Sequence, residues 1–103
     1  MTREYVLALS GASGSVLAVR FAVAALSSKM VDTLHVVVTT PATKVLGHEL
    51  GPQWATARGF REQLPIDEGL RERVRTYSDN ELTAPIASGS LRLAGVIVCL
   101  LYT

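Results

Sequence analysis

Residues 5–15 read Tyr-Val-Leu-Ala-Leu-Ser-Gly-Ala-Ser-Gly-Ser, an apolar run followed at once by a turn rich in serine and glycine. A continuous apolar run bounded by turn residues is typical of a parallel strand that is buried on both faces. Residues 15–29 are rich in Ala, Leu and Val and predict a helix, with Ser13 or Ser15 as its cap. The chain therefore opens with a strand, a tight turn and a helix.

The same order returns further along the chain. Residues 34–40 predict a second strand, and Pro41 to Leu50 predict a second helix that Gly51-Pro52 ends. Residues 58–81 hold eleven of the nineteen charged side chains, which indicates a solvated stretch. Within it we expect a short helix at 67–72 and a strand at 73–77. Residues 84–90 predict a loop of small residues, and residues 94–102 a last strand.

This alternation predicts an α/β fold, a Rossmann-like or flavodoxin-like open parallel sheet of about four strands with flanking helices. The 103 residues, 11.0 kDa, allow one domain. Because parallel sheets need cover on both faces, a chain that stops on an apolar strand predicts an incomplete fold. We expect residues 1–103 to be the N-terminal portion of a larger domain.

Composition excludes several classes of protein. Hydrophobic residues make up 49% and charged residues 18%, unlike a disordered chain. The net charge of +1 gives no indication of nucleic-acid binding. A single cysteine excludes an internal disulfide and a multi-cysteine zinc site.

The apolar stretches are too short to span a membrane. The longest, Val16 to Leu26, is eleven residues and contains Arg20, whereas a spanning helix needs about 20 apolar residues. The apolar run at residues 5–9 is also shorter than the core of a secretory signal. We therefore expect a cytoplasmic protein that does not associate with membranes.

The turn from Ser10 to Ser15 is a candidate phosphate site. Its glycines allow close approach of the backbone to a ligand, and the following helix offers free N–H groups at its positive end. The alternative is an ordinary tight turn between strand and helix. The turn by itself does not decide which phosphate ligand would bind.

The end of the second strand bears on the choice of ligand. A dinucleotide site would place an acidic residue there for the ribose, but the strand ends in Thr39-Thr40 and Asp32 lies before it. Two hydroxyls suit a mononucleotide such as a flavin better. The alternative role for Thr39 and Thr40 is a cap on the second helix.

Three blocks of sequence carry a resemblance to a known family. They are Ala8-Leu9-Ser10-Gly11-Ala12-Ser13-Gly14, then His35-Val36-Val37-Val38-Thr39, then Ala84-Pro85-Ile86-Ala87-Ser88-Gly89-Ser90. In this order they resemble the UbiX-type flavin prenyltransferases, within the wider family of flavin-containing cysteine decarboxylase-like flavoproteins. The likeness extends over nearly the whole chain, up to Cys99, and corresponds to about the first half of a typical member.

The resemblance implies an activity and its partners. Such enzymes bind reduced FMN, without a metal, and transfer a dimethylallyl group to it from dimethylallyl phosphate. The product, prenylated FMN, serves UbiD-type decarboxylases, and a homo-oligomer is implied. By the same resemblance Gly11, Ala12 and Ser13 contact FMN, and Thr39 stands where the family usually has serine. Residues 88–90, Ser-Gly-Ser, would lie near the prenyl side and the subunit contacts.

The chain also departs from the family pattern. After its fourth strand the family continues Pro-Cys-Ser, whereas Cys99 is followed here by Leu100. The family's later phosphate-binding and catalytic residues have no counterpart, so the sequence assigns no catalytic residue. One alternative is a non-catalytic subunit for flavin binding or interaction. Another is an NAD(P)-binding half-domain of a reductase, which the missing acidic residue disfavours.

Other residues that sometimes carry chemistry have ordinary structural explanations. His48-Glu49 lacks a second metal ligand at helical spacing, so we expect a surface pair. The arginines at 71, 73 and 75 alternate with acidic residues, which indicates a solvated face. Trp54 and Phe60 are expected to fill the core or form a subunit contact. His35 is expected to be a packed or an edge residue of the second strand, and Cys99 a small buried hydrophobe.

Overall fold

A computed structural model describes residues 3–10, 14–28, 31–78 and 95–99. These residues form one parallel sheet of four strands, with helices between the first and second strands and between the second and third. The elements are β1 (Glu4–Leu9), α1 (Ser15–Ser27), β2 (Thr33–Val38), α2 (Thr40–Leu50), a 3₁₀ turn (Pro52–Trp54), α3 (Ala57–Gln63), α4 (Glu68–Arg71), β3 (Val74–Ser78) and β4 (Gly95–Cys99). The strand order in the sheet is β3-β2-β1-β4.

The register of the sheet brings the carboxyl ends of all four strands to one edge. Leu9, the last residue of β1, pairs with Val38 on one side and with Cys99 on the other, and Val38 pairs with Ser78. The strand order reverses at β1, because β2 and β3 lie on one side of it and β4 on the other. This is the order of the first four strands of a doubly wound fold, so the predicted α/β class is confirmed.

The hydrophobic core lies between one face of the sheet and the first three helices. Alternate residues of a strand point to opposite faces. Leu7 and Leu9 of β1 and the alternate residues 34, 36 and 38 of β2 therefore share the face toward the helices, and all five are buried. The helices contribute Ala18, Ala22, Leu26, Ala42, Leu46 and Phe60 to the same cluster. In the described part of the chain, no helix combines the length and apolar character needed to cross a membrane.

The first helix begins differently from the sequence prediction. Its cap residue is Gly14, which has a φ of 108° and supplies no side-chain hydrogen bond. Ser15 is already the first helical residue, so it does not cap the helix in the ordinary way, and Ser13 lies outside the described residues. Strand β2 is shorter than predicted, since Thr39 leaves the sheet to cap α2.

Helix α3 was not predicted. The many charged residues at 58–81 indicated a solvated stretch, although Phe60 within it is buried. Phe60 is completely buried and lies edge-to-face with Trp54, at 5.9 Å between ring centroids. This confirms a core position for Phe60. Gly59 permits the close packing, because a Cβ there would lie 2.2 Å from the carbonyl oxygen of Gln53.

Arg71 is buried, so the prediction that it belongs to a solvated face is wrong. Its guanidinium donates to four backbone carbonyls and to the Glu68 carboxylate, and only 11% of its side chain is exposed. The carbonyls belong to Arg61, Glu62, Leu64 and Ile66. A planar group with five donors suits such an arrangement of acceptors. Arg71 therefore holds the connection between α3 and α4 in place.

We expect the variant Arg71→Met to be destabilised by about 3 kcal/mol, since the buried carbonyl groups lose charged donors that they cannot replace. Urea denaturation would measure the free energy of unfolding. Arg73→Met is the matched control, because Arg73 is exposed, and we expect it to stay within about 0.5 kcal/mol of the parent. Equal losses in the two variants would contradict the role given to Arg71.

Candidate functional site

The candidate site lies at the carboxyl edge of the sheet, where the strand order reverses between β1 and β4. In open α/β sheets this is the position at which ligands bind, because the loops leave a crevice there. Ser10 follows β1 directly, and Gly14 leads into α1. The described ends of the predicted phosphate turn, Ser10 and Gly14, therefore lie between the carboxyl end of β1 and the start of α1, and a phosphate at this turn stays a prediction.

The first amides of α1 already bind an anionic group. The Gly14 and Ser15 N–H groups donate to the Glu49 carboxylate, with N to Oε1 distances of 3.3 and 3.0 Å. Helix N-termini leave such N–H groups without partners inside the helix, and their dipoles favour negative charge. A residue 34 positions further along the chain thus does what a cap residue of α1 would otherwise do.

The environment of Glu49 stabilises its charged form. A hydrogen bond with the Ser15 side chain, followed by the Ser15 amide, holds the pKa of the Glu49 carboxyl below its usual range. Partial loss of water opposes this shift, while the Gly14 amide and the nearby His48 add to it. Glu49 stands in the last turn of α2, where the dipole of its own helix disfavours a carboxylate. The amides at the N-terminus of α1 compensate for this unfavourable interaction.

Thr39 connects the ends of two strands and begins α2. Its hydroxyl donates to the carbonyl of Leu9 at 3.0 Å and accepts from the Ala42 N–H at 3.2 Å. Its own N–H also approaches the Leu9 carbonyl, at 3.3 Å. The interpretation of Thr39 as a helix cap is confirmed. Because the hydroxyl proton is used on Leu9, the oxygen is left with acceptor capacity alone, and contact with FMN remains a prediction.

The other predicted site residues lie outside the described part of the chain. These are Gly11, Ala12 and Ser13 of the turn, together with residues 88–90. Asp32 is described and stands at the opposite, amino edge of the sheet. Its Oδ2 accepts from the Arg3 N–H at 2.6 Å. Thr39 and Glu49 therefore lie at the two ends of α2, and Glu49 contacts the first turn of α1. Asp32 lies at the opposite edge of the sheet from this site.

Sequence reasoning missed Glu49, which it treated as half of a surface pair with His48. Both side chains are exposed, but only the fold shows that Glu49 reaches α1. The one signal available in the sequence was an acidic residue in the last turn of a helix, an unfavourable place for it. Among the described residues, no group of three or more His, Cys, Asp or Glu side chains could hold a metal ion.

Comparison with known proteins adds no assignment. No protein-family model matches the chain, and no curated protein sequence matches it. The fold and the edge site together define an α/β protein with an open parallel sheet and an anion-accepting helix start at its switch point.

The lowered pKa of Glu49 predicts an acid-dependent loss of stability. A carboxyl whose pKa is lower in the folded than in the unfolded chain stabilises the fold above its unfolded pKa, and this contribution disappears as pH falls through the folded pKa. Glu49→Gln should therefore lose less stability than the parent between about pH 5 and pH 3. Thermal denaturation at several pH values in this range would measure the stability of both proteins. Glu72→Gln, at an exposed acid, should follow the parent curve.

The double role of Thr39 predicts a different response to two substitutions. Thr39→Ala removes the cap of α2 and the bond to Leu9, and we expect a loss of about 1 kcal/mol in the free energy of unfolding. Thr39→Ser keeps the hydroxyl and should retain most of this stability. Equal losses in chemical denaturation of the two variants would show that the hydroxyl bonds contribute nothing.

Proposed function

We propose that this chain is an FMN-binding domain of the flavin prenyltransferase type, acting in the cytoplasm. Its activity would be transfer of a dimethylallyl group from dimethylallyl phosphate to reduced FMN, and the prenylated product would serve UbiD-type decarboxylases. The proposal rests on the three sequence blocks that resemble this family. The fold supplies independent support for the described parts of the first two blocks, which are residues 8–10, Gly14 and residues 35–39.

The observation that carries the proposal is the start of α1. The first block, residues 8–14, includes the end of β1 and the turn that leads to α1. At the end of this turn, two consecutive amides donate to a carboxylate, so this helix start accepts negative charge. A phosphate group needs such donors, and it would enter from the crevice at the switch point. The phosphate of FMN fits both requirements.

The second block favours a mononucleotide over a dinucleotide. Residues 35–39 end at the carboxyl edge with the hydroxyl of Thr39 rather than with a carboxylate. The nearest acidic residue along the chain, Asp32, bonds to Arg3 at the other edge of the sheet. The ribose hydroxyls of NAD would therefore find no carboxylate from this segment, which supports FMN against an NAD(P)-binding half-domain.

The residues of this chain would bind and orient FMN rather than carry the whole reaction. The amides at the start of α1 would hold a phosphate, and the Thr39 oxygen would accept one hydrogen bond. Glu49 would share the donors of α1 with the bound phosphate, so its carboxylate moves or forms hydrogen bonds to a different subset of them. When bound, reduced FMN supplies the nucleophilic ring positions that accept the prenyl group.

The test of the proposal begins with cofactor choice. We expect the purified chain to bind FMN, with quenching of flavin fluorescence, and to bind NAD and NADP more weakly. Gly11→Val should weaken FMN binding strongly, because a side chain keeps the ligand from the backbone of the turn. Gly69→Val is the control, since a Cβ at Gly69 meets only Asp67, at an ordinary contact distance of 3.4 Å. Tight NAD binding without FMN binding would overturn the proposal.

A second measurement separates binding from catalysis. The chain is incubated anaerobically with reduced FMN and dimethylallyl phosphate, and the flavin is examined by mass spectrometry for the added dimethylallyl group. Prenylated FMN supports the full proposal. FMN binding without product contradicts the transferase activity and supports the alternative function, a non-catalytic flavin-binding subunit.

A further inference from the structure

A second polar cluster lies on the face of the sheet opposite to α1, α2 and α3. Glu4 of β1, His35 of β2 and Tyr77 of β3 are joined by hydrogen bonds across three neighbouring strands. His35 Nε2 lies 2.9 Å from Glu4 Oε1, and His35 Nδ1 lies 3.0 Å from the Tyr77 hydroxyl. Only 3% of the His35 side chain is exposed.

The direction of the hydrogen bonds follows from the chemistry of the three groups. An ionised carboxylate is only an acceptor, so neutral His35 carries its proton on Nε2 and donates to Glu4. Its Nδ1 then presents a lone pair, and the Tyr77 hydroxyl donates to it. A carboxylate that orients an imidazole, which in turn accepts from a hydroxyl, is the arrangement that activates hydroxyl nucleophiles in enzymes.

Tyr77 places one end of this hydrogen-bonded cluster beside solvent. Its side chain is half-buried, and it lines an open cavity of about 360 Å³ along β3. Two arginines also line this cavity, and one of them, Arg75, is the register partner of His35. The full lining is Arg61, Glu72, Val74, Arg75, Thr76 and Tyr77.

We propose that Tyr77 is a base-activated nucleophile that accepts an acyl group from an activated acyl donor bound in the β3 cavity. His35 is the base, and Glu4 is a positioning residue that fixes the tautomer and the orientation of the imidazole. This proposal does not depend on flavin binding, because it uses a different set of residues from the carboxyl-edge site.

The step balances without any further reagent. The Tyr77 oxygen forms a bond to the acyl carbon while its proton passes to His35 Nδ1. The bond from the acyl carbon to the leaving group breaks, and the leaving group departs with the electron pair and takes up the proton. The products are O-acyltyrosine and the protonated leaving group.

A purely structural role for the cluster makes a different prediction about rate. If the three side chains only connect strands, burial and hydrogen bonding make Tyr77 less reactive than a free phenol. General-base assistance contributes about 10²–10⁴-fold in rate, which exceeds such losses. The rate of Tyr77 acylation relative to a free tyrosine derivative therefore distinguishes the two roles.

The experiment uses N-acetylimidazole as the acyl donor, with N-acetyltyrosine amide in the same tube as the free phenol. Peptide mapping by mass spectrometry gives the acetylation rate at Tyr77, without added flavin. We expect Tyr77 to react at least about tenfold faster than the free derivative. A rate at Tyr77 equal to or below that of the free derivative overturns the proposal.

Variants then assign the roles within the cluster. His35→Gln should bring Tyr77 to or below the rate of the free derivative, and Glu4→Gln should lower the rate in part. A variant that unfolds still exposes Tyr77 as an ordinary phenol, so its rate cannot imitate activation. Lys44→Gln changes an exposed residue of α2 that belongs to neither the cavity nor the cluster, and it should leave the rate unchanged. An undiminished rate in His35→Gln would contradict the assignment of the base.

Discussion

Strand β2 lies between β1 and β3, and each of its residues from Leu34 to Val38 is buried. A strand that is covered on both faces must satisfy its backbone groups through its neighbours, because water cannot reach them. Pairing with β1 and β3 along its whole length therefore fixes the register of both partners. This constraint places Leu9, Val38 and Ser78 at one edge, and so determines where the candidate ligand site lies.

Burial of polar groups follows the same rule elsewhere in the molecule. His35 lies in the middle of β2, and both of its ring nitrogens have partners. Arg71 is surrounded by backbone carbonyls of the connection between α3 and α4. Within the described ranges, no buried side-chain nitrogen or oxygen lacks a hydrogen-bond partner. An unpaired polar group in either place would lower the free energy of unfolding by about 1–3 kcal/mol, so both hydrogen-bond networks stabilise the fold.

The carboxyl edge is held together by two contacts between segments that are distant in the sequence. Thr39 joins the ends of β1 and β2, and Glu49 joins the last turn of α2 to the first turn of α1. Helix α2 thus has one of these residues at each end. In the proposed function, a ligand phosphate would use the same amides as Glu49. Ligand binding would therefore alter the contact between α1 and α2.

Local sequence determined the strand-turn-helix order, because apolar runs, glycine turns and proline at a helix start act over a few residues. It predicted β1, β2 and α2 closely, and it gave the cap of α2 as an alternative role for Thr39, which the structure confirms. Long-range contacts were decided only by the tertiary structure. Whether Arg71 faces water or carbonyls, and whether Glu49 belongs to the surface or to α1, depends on segments that lie up to 35 positions apart. The charge pattern of residues 58–81 could not reveal Phe60 as a core residue, because burial is set by what packs against a side chain and not by its neighbours in sequence.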